Sequence, residues 1–416
     1  RMRAVTRPTF VESIRPCEEN ICSTTQPSTC VEVAFPETAW RTCISNQGRR
    51  GLVLGPTDLR RNHSAPWMRV LREGSAAEIF VPYHGLNLRL YDYETTSAQS
   101  VREVTPGDAG PNGTVLTLSG ATVPQVAAEM NDRGIAWLCK ERRSISRRGQ
   151  ELVLWGVLDA ANYDFITEYR LRDDGSIGFR LGATGYNNPF FPPRSTTEAH
   201  MHDVVWRVDV DLNGSGNDSA VQLRHIETAA SPLVNADIEE PFNGGREGVT
   251  QWNPLEFHAI GVEDTTTTNA YGHNIGYVLK PSAPGIARHY GEAAGLSRRE
   301  RFTQSDFAVT TYKQTERDAL FDSSHVRYLQ PDQYLLGMDS FAGVGVSDTE
   351  NITATDVVLW YRSAAHHDPH DEDHAPGDPA DYMTGITNVH WQGVDLEPRN
   401  VFDFNPLGGP SRAHCQ

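Results

Sequence analysis

Short apolar runs separated by turn-forming residues recur along this chain from Val31 onward. Val31-Glu32-Val33, Gly51-Leu52-Val53-Leu54 and Ala77-Glu78-Ile79-Phe80-Val81-Pro82-Tyr83 are each bounded by Gly, Pro, Asn or Asp, the punctuation expected of strands. Residues 151–172 carry Val, Leu, Trp, Ile, Phe and Tyr in partial alternation. Asp173-Asp174-Gly175 then turns the chain back into Ser176-Ile177-Gly178-Phe179-Arg180-Leu181 as a hairpin. Over 204–212 the pattern has period two, with Val208, Val210 and Leu212 on one face and Arg207, Asp209 and Asp211 on the other. Residues 274–280, 307–312 and 356–361 read as further strands, and only 289–302 and 314–321 read as helical. The expected fold is mainly β: a large antiparallel sandwich with long loops and few short helices. Residues 1–30, rich in Pro, Ser, Thr and Cys without periodicity, read as an arm strapped to one domain covering 31–416.

Composition adds a compartment and removes some partners. The 38% apolar fraction, with Gly 35 and Pro 25, fits a folded, turn-rich protein rather than a disordered one. Acidic residues number 54 against 37 basic ones, a formal charge of -17, and no Lys/Arg run is long enough to follow a phosphate backbone. Nucleic acid is therefore not an expected partner. The acidity is compatible with metal ions or amines, and equally with plain solubility.

Cys17, Cys22, Cys30, Cys43, Cys139 and Cys415 form an even set without zinc-type spacing, so they read as disulfides. Asn-x-Ser/Thr sequons stand at Asn62, Asn112, Asn213, Asn217 and Asn351. Together these features predict a secreted, extracellular glycoprotein. No stretch approaches the ~20 apolar residues of a membrane span. The polar start Arg1-Met2-Arg3 lacks a signal-peptide core, as expected of a processed chain.

Chemistry concentrates in a few places. His200 and His202, two apart on a strand, share a face and could reach one ion, and imidazole suits copper or zinc; a pair of surface histidines has the same spacing. A third ligand could come from His366-His367-Asp368-Pro369-His370-Asp371-Glu372-Asp373-His374, where composition does not choose among the candidates. Asp209 and Asp211 offer hard oxygens to calcium, although alternating charge on a solvated strand face has the same pattern.

From about Val31 to Pro406 the chain resembles the copper- and quinone-containing amine oxidases, in their large catalytic β-sandwich domain. The family's Thr-x-x-Asn-Tyr-Asp/Glu motif is matched by Asp159-Ala160-Ala161-Asn162-Tyr163-Asp164, which makes Tyr163 the implied precursor of topaquinone. Its His-x-His copper pair is similar to His200-Met201-His202, and its His-x-Pro-x-x-Glu-Asp segment selects His367 as the third copper ligand. The resemblance also implies a calcium-type site at Asp209, Asp211 and Asp356, with the carbonyls of Val210 and Val357. In Val81-Pro82-Tyr83 it implies that Tyr83 hydrogen-bonds the cofactor.

The nearest match to the family's catalytic base is Asp92 in Tyr91-Asp92-Tyr93-Glu94, with Glu94 the alternative. The implied reaction converts a primary amine, dioxygen and water to an aldehyde, hydrogen peroxide and ammonia, in a homodimer. A relative that keeps copper but has lost the quinone is the rival expectation, and zinc in the histidine site a third. The chain departs from the family at Asp159, which replaces the motif's threonine, in the base region, in the short segment between Tyr163 and His200, and around Cys139.

Overall fold

In the computed structural model the described residues are 14–23, 25–82, 89–91, 101–139, 145–160, 162–186, 199–228, 231–282, 305–314, 350–373 and 386–408. They form strands in the chain order β1 Ile14–Pro16, β2 Ser28–Ala34, β3 Ala39–Asn46, β4 Leu52–Arg60, β5 Met68–Pro82, β6 Arg89–Tyr91 and β7 Gly113–Leu116. β8 Val126–Cys139, β9 Ile145–Ala160, β10 Tyr163–Arg172, β11 Ile177–Gly185, β12 His200–Val210, β13 Asp218–Thr228 and β14 Ser231–Pro241 follow. The last are β15 Gly248–Thr250, β16 Ala259–Thr268, β17 Asn274–Ser282, β18 Phe307–Thr311, β19 Val357–His367 and β20 Thr387–Arg399. Both stretches expected to be helical fall on or run into residues outside those described.

The strands build two antiparallel sheets. One runs β1-β2-β3-β4-β5-β12-β19-β18-β15, with β6 on β5; the other runs β14-β13-β16-β17-β20-β11-β10-β9-β8-β7. At its start the first sheet is stitched by Cys17–Cys30 and Cys22–Cys43, so β1 and β2 are held onto β3 covalently. Alternation sends one set of side chains from each sheet into a shared core: Trp206, Val208 and Val210 meet Phe165, Tyr169 and Phe179, all essentially inaccessible to solvent. Phe179 and Trp206 pack with ring centroids 5.9 Å apart, and the Tyr169 hydroxyl donates to Leu52 O at 2.6 Å. Burying each such side chain contributes roughly 1.5–3 kcal/mol, so the inter-sheet layer stabilises the packing of one sheet on the other.

The hairpin expected at Asp173-Asp174-Gly175 joins β10 to β11. Gly175 takes φ +89, and Asp174 Oδ1 accepts from the Ser176 amide at 3.0 Å. Residues 151–172, by contrast, do not make one continuous strand. The chain reverses between Ala160 and Tyr163, which pair with each other, so Tyr163 opens β10. No Gly or Pro marks this turn; the Asn162 side-chain Nδ2 donates to Tyr186 O at 2.7 Å, and the Tyr186 backbone amide donates to Asn162 O at 3.0 Å.

The charged face of β12 also differs from a solvated one. Arg207 and Asp209 are buried, because Arg207 lies between the Tyr312 and Trp360 rings, 5.5 and 5.6 Å from their centroids, and donates to Asp209 at 3.1 Å.

Candidate metal centre

The centre lies between the sheets where β12 begins and β19 ends. In the antiparallel register His200 faces His367 and His202 faces Ala365, so all three imidazoles project from one face of the first sheet. Their ligand atoms lie within 4.8 Å of one another, and all three residues are buried. Among the described residues this is the one group of three or more His, Cys, Asp or Glu side chains close enough to hold a single ion. The second sheet supplies Tyr163, only 3% exposed. Its hydroxyl is 2.9 Å from His367 Nδ1 and 3.1 Å from His200 Nε2, and its ring is 4.6 Å from the His202 ring.

The donor set fits a metal ion of the copper or zinc type. Both ring nitrogens of His202 are buried without a hydrogen-bond partner, a costly arrangement unless something else takes a lone pair. Burial, then the neighbouring His200, His367 and His390, push the His202 imidazole well below its ordinary range, so the ring stays neutral. His367 Nε2 meets Asp373 Oδ2 at 3.0 Å. Donation there assigns the proton to Nε2 and leaves the Nδ1 lone pair facing Tyr163 and His200, as a metal ligand requires. Asp373 is itself held by the His370 amide at 3.1 Å.

Of three supporting residues, His390 and Gln392 were not singled out from the sequence, and Asp373 stood there only as the last residue of the His-x-Pro-x-x-Glu-Asp segment, without a role. His390 and Gln392 are alternate residues of β20 and face inward with their partners Ala183 and Leu181. Gln392 donates to His202 O at 2.7 Å, and the His390 ring lies 4.8 Å from the His367 ring at a 38° tilt. The period-two pattern around 387–396 carries a signal for a strand but none for which residue would meet His367.

Asp159 projects from the opposite face of its sheet to Tyr163, cross-strand from Asp164, and takes a hydrogen bond from Arg102 Nε at 2.9 Å. Burial and the charge of Asp159 raise the Asp164 carboxyl. At the other end of β12, Val210 pairs with Val357. Asp209 Oδ2 is engaged by Arg207, Asp356 Oδ2 by Arg72 at 3.2 Å, and Oδ1 of Asp209, Asp211 and Asp356 is buried without a partner. Burial, then Asp211, raise the nearby Asp218 carboxyl to about 9; burial likewise raises Asp209 to about 7, against the opposing pull of Arg207. Tyr83, Asp92 and Glu94 lie outside the described residues.

Comparison with known proteins decides the family. The family model "Copper amine oxidase, enzyme domain" matches residues 129–413. The chain belongs to the copper amine oxidase family. A primary amine oxidase of Arthrobacter sp. (strain P1) is 25% identical over 282 residues, covering 64% of this chain and 41% of that protein. The copper-containing amine oxidase gamma 2 of Arabidopsis thaliana is 22% identical, covering 89% of this chain and 58% of its own length. The chain thus spans about half the length of these copper amine oxidases. The solved copper-containing benzylamine oxidase from Hansenula polymorpha shares the fold, with a TM-score of 0.69 at 17% identity, over 94% of this chain and 64% of that one.

Proposed function

We propose that this chain is a copper- and quinone-dependent oxidase of a primary amine. The observation that carries the reading is the Tyr163 hydroxyl, within hydrogen-bond distance of two of three converging imidazoles. His200, His202 and His367 would hold copper through neutral imidazole nitrogens. Copper would supply the redox chemistry by which dioxygen oxidises the Tyr163 ring to a quinone; the quinone carbonyl would be the electrophile for the primary amine, and consumption of one dioxygen and one water would give aldehyde, hydrogen peroxide and ammonia.

The chain's own residues prepare this chemistry. Asp373 orients His367, Asn162 holds the turn that presents Tyr163, and the two sheets exclude water from the phenol. Asp92, with Glu94 as the alternative, would remove the substrate α-proton, and Tyr83 would hydrogen-bond the cofactor. The disulfides and sequons support a secretory-pathway address and glycosylation. Among the described residues no helix is long and apolar enough to cross a membrane. A homodimer completes the reading as the family's usual assembly. The partnerless Oδ1 atoms support calcium at Asp209, Asp211 and Asp356, with the Val210 and Val357 carbonyls, while Arg72 and Arg207 compete for the same carboxylates.

The test is mass spectrometry of the Asn162-Tyr163 peptide after copper loading in air. An oxidised residue that a hydrazine labels, with peroxide release on amine addition that disappears in Tyr163→Phe, is the expected result. One observation favours a second reading, a copper-binding relative without the quinone: Asp159 stands where the family motif has threonine. An unmodified Tyr163 mass with copper bound would establish that reading instead.

A further inference from the structure

The histidine-rich segment contributes one buried residue, His367, to the centre, and this leaves its other imidazoles without a role. Beside it lies a graded series. His370 is 46% exposed on its side chain, with Nδ1 3.1 Å from Glu372 and 3.7 Å from Asp373. His390 is half-buried, with a buried Nε2 that meets no hydrogen-bond partner. His367 is fully buried, and Asp373 touches both His370 and His367. The His390 ring thus lies against that of the candidate ligand His367 from the opposite sheet, with a buried nitrogen that no protein donor occupies and that is open to a passing metal ion.

We propose that His370 and His390 form a loading path for the metal, with His370 and its acidic neighbours as the outer station and His390 Nε2 as the inner one. The exposed carboxylates of Asp371 and Glu372 raise the local concentration of cations beside His370, above the buried Asp373. Imidazole nitrogens then let a copper ion exchange one ligand at a time, so it is never stripped of all its ligands between water and the buried trio. His390 is suited to this because β20 presents it to the inner face, where its ring lies against that of His367. The resident site remains His200, His202 and His367. The inference rests on the copper half of the proposed function and not on the quinone.

The experiment follows uptake of Cu(II) alone by metal-free full-length chain, in a Tyr163→Phe background so that ring oxidation plays no part. Uptake rate is read by stopped flow, and the final state by copper stoichiometry and the EPR spectrum. His390→Phe keeps the stacked ring and removes the nitrogens. It should slow uptake about tenfold, equivalent to about 1.4 kcal/mol in the barrier, and reach the same stoichiometry and spectrum. His370→Ala should slow it in the same direction, and His225→Ala, an exposed histidine paired with Asp237, should not.

Unchanged uptake in His390→Phe overturns the path. A changed final spectrum or lower stoichiometry overturns it too, because His390 would then be a resident ligand. A parent protein that takes up no copper rejects the copper reading itself, a result distinct from normal uptake in the variants.

Discussion

His200 and His367 stand directly opposite each other on neighbouring antiparallel strands, with Nε2 of the first 3.4 Å from Nδ1 of the second. Directly opposed residues share a face with Cβ atoms about 4.5–5.5 Å apart. The register of β12 against β19 therefore brings together two candidate ligands 167 residues apart in the chain. A one-residue slip would turn one of them to the other face.

The unsatisfied His202 ring predicts opposite effects on the metal-free and metal-loaded protein. His202→Leu should raise metal-free stability by roughly 1–2 kcal/mol, because it removes a buried unpartnered polar ring. It should also abolish the stabilisation by copper, which for the parent amounts to about 2.7 kcal/mol at a copper concentration of 100 times Kd. Urea unfolding with and without copper checks both; a variant that copper still stabilises fully would remove His202 from the site.

Asp373→Asn tests the orientation of His367. The amide can donate to Nε2 and so favours the wrong tautomer, with the proton on Nδ1. Copper affinity should fall about 10–100-fold, measured by competition with a chelator, while melting of the metal-free protein moves little.

Gly185 is the cross-strand partner of Tyr163, and a Cβ there would run into Asn162 O and the Tyr163 backbone. Gly185→Ala should cost about 1–3 kcal/mol through overpacking and displace the turn that presents the phenol. The expected signature in copper-loaded protein is slower appearance of the hydrazine-reactive form, with unchanged copper content.

The aspartates at the far end of β12 predict a pH dependence. Asp209 is raised to about 7 and Asp218 to about 9, so the folded state keeps protons that the unfolded chain gives up. Their stabilising contribution is present in acid and lost as pH rises through those values. Melting temperature without divalent cations should fall between pH 5 and 9. Asp218→Asn should flatten the decline and add on the order of 2 kcal/mol at the alkaline end, the scale for an uncompensated buried group. An unaltered slope in the variant would exclude Asp218 as its source.

What the residues determined by themselves was the class of fold and most of its strands. A period-two pattern is a local property, written by the need to bury one face, and it places His200 and His202 on one side of β12 together with Val208 and Val210. The Asp-Asp-Gly turn is likewise local, because it rests on a positive φ and a side chain capping its own backbone.

Local pattern could not divide 151–172 into two strands, since the reversal before Tyr163 is held by Asn162 and Tyr186, 24 residues apart. Nor could it tell that the charged face of β12 is buried, which depends on Trp360 arriving from β19 and Tyr312 from just beyond β18. Among the neighbouring histidines only family resemblance pointed to His367. Tertiary structure set it opposite His200, gave Asp373 its contact with His367, and alone brought in His390 and Gln392. Which side chains meet across two packed sheets depends on register and layer spacing, and these are properties of the assembled sandwich rather than of any one stretch of chain.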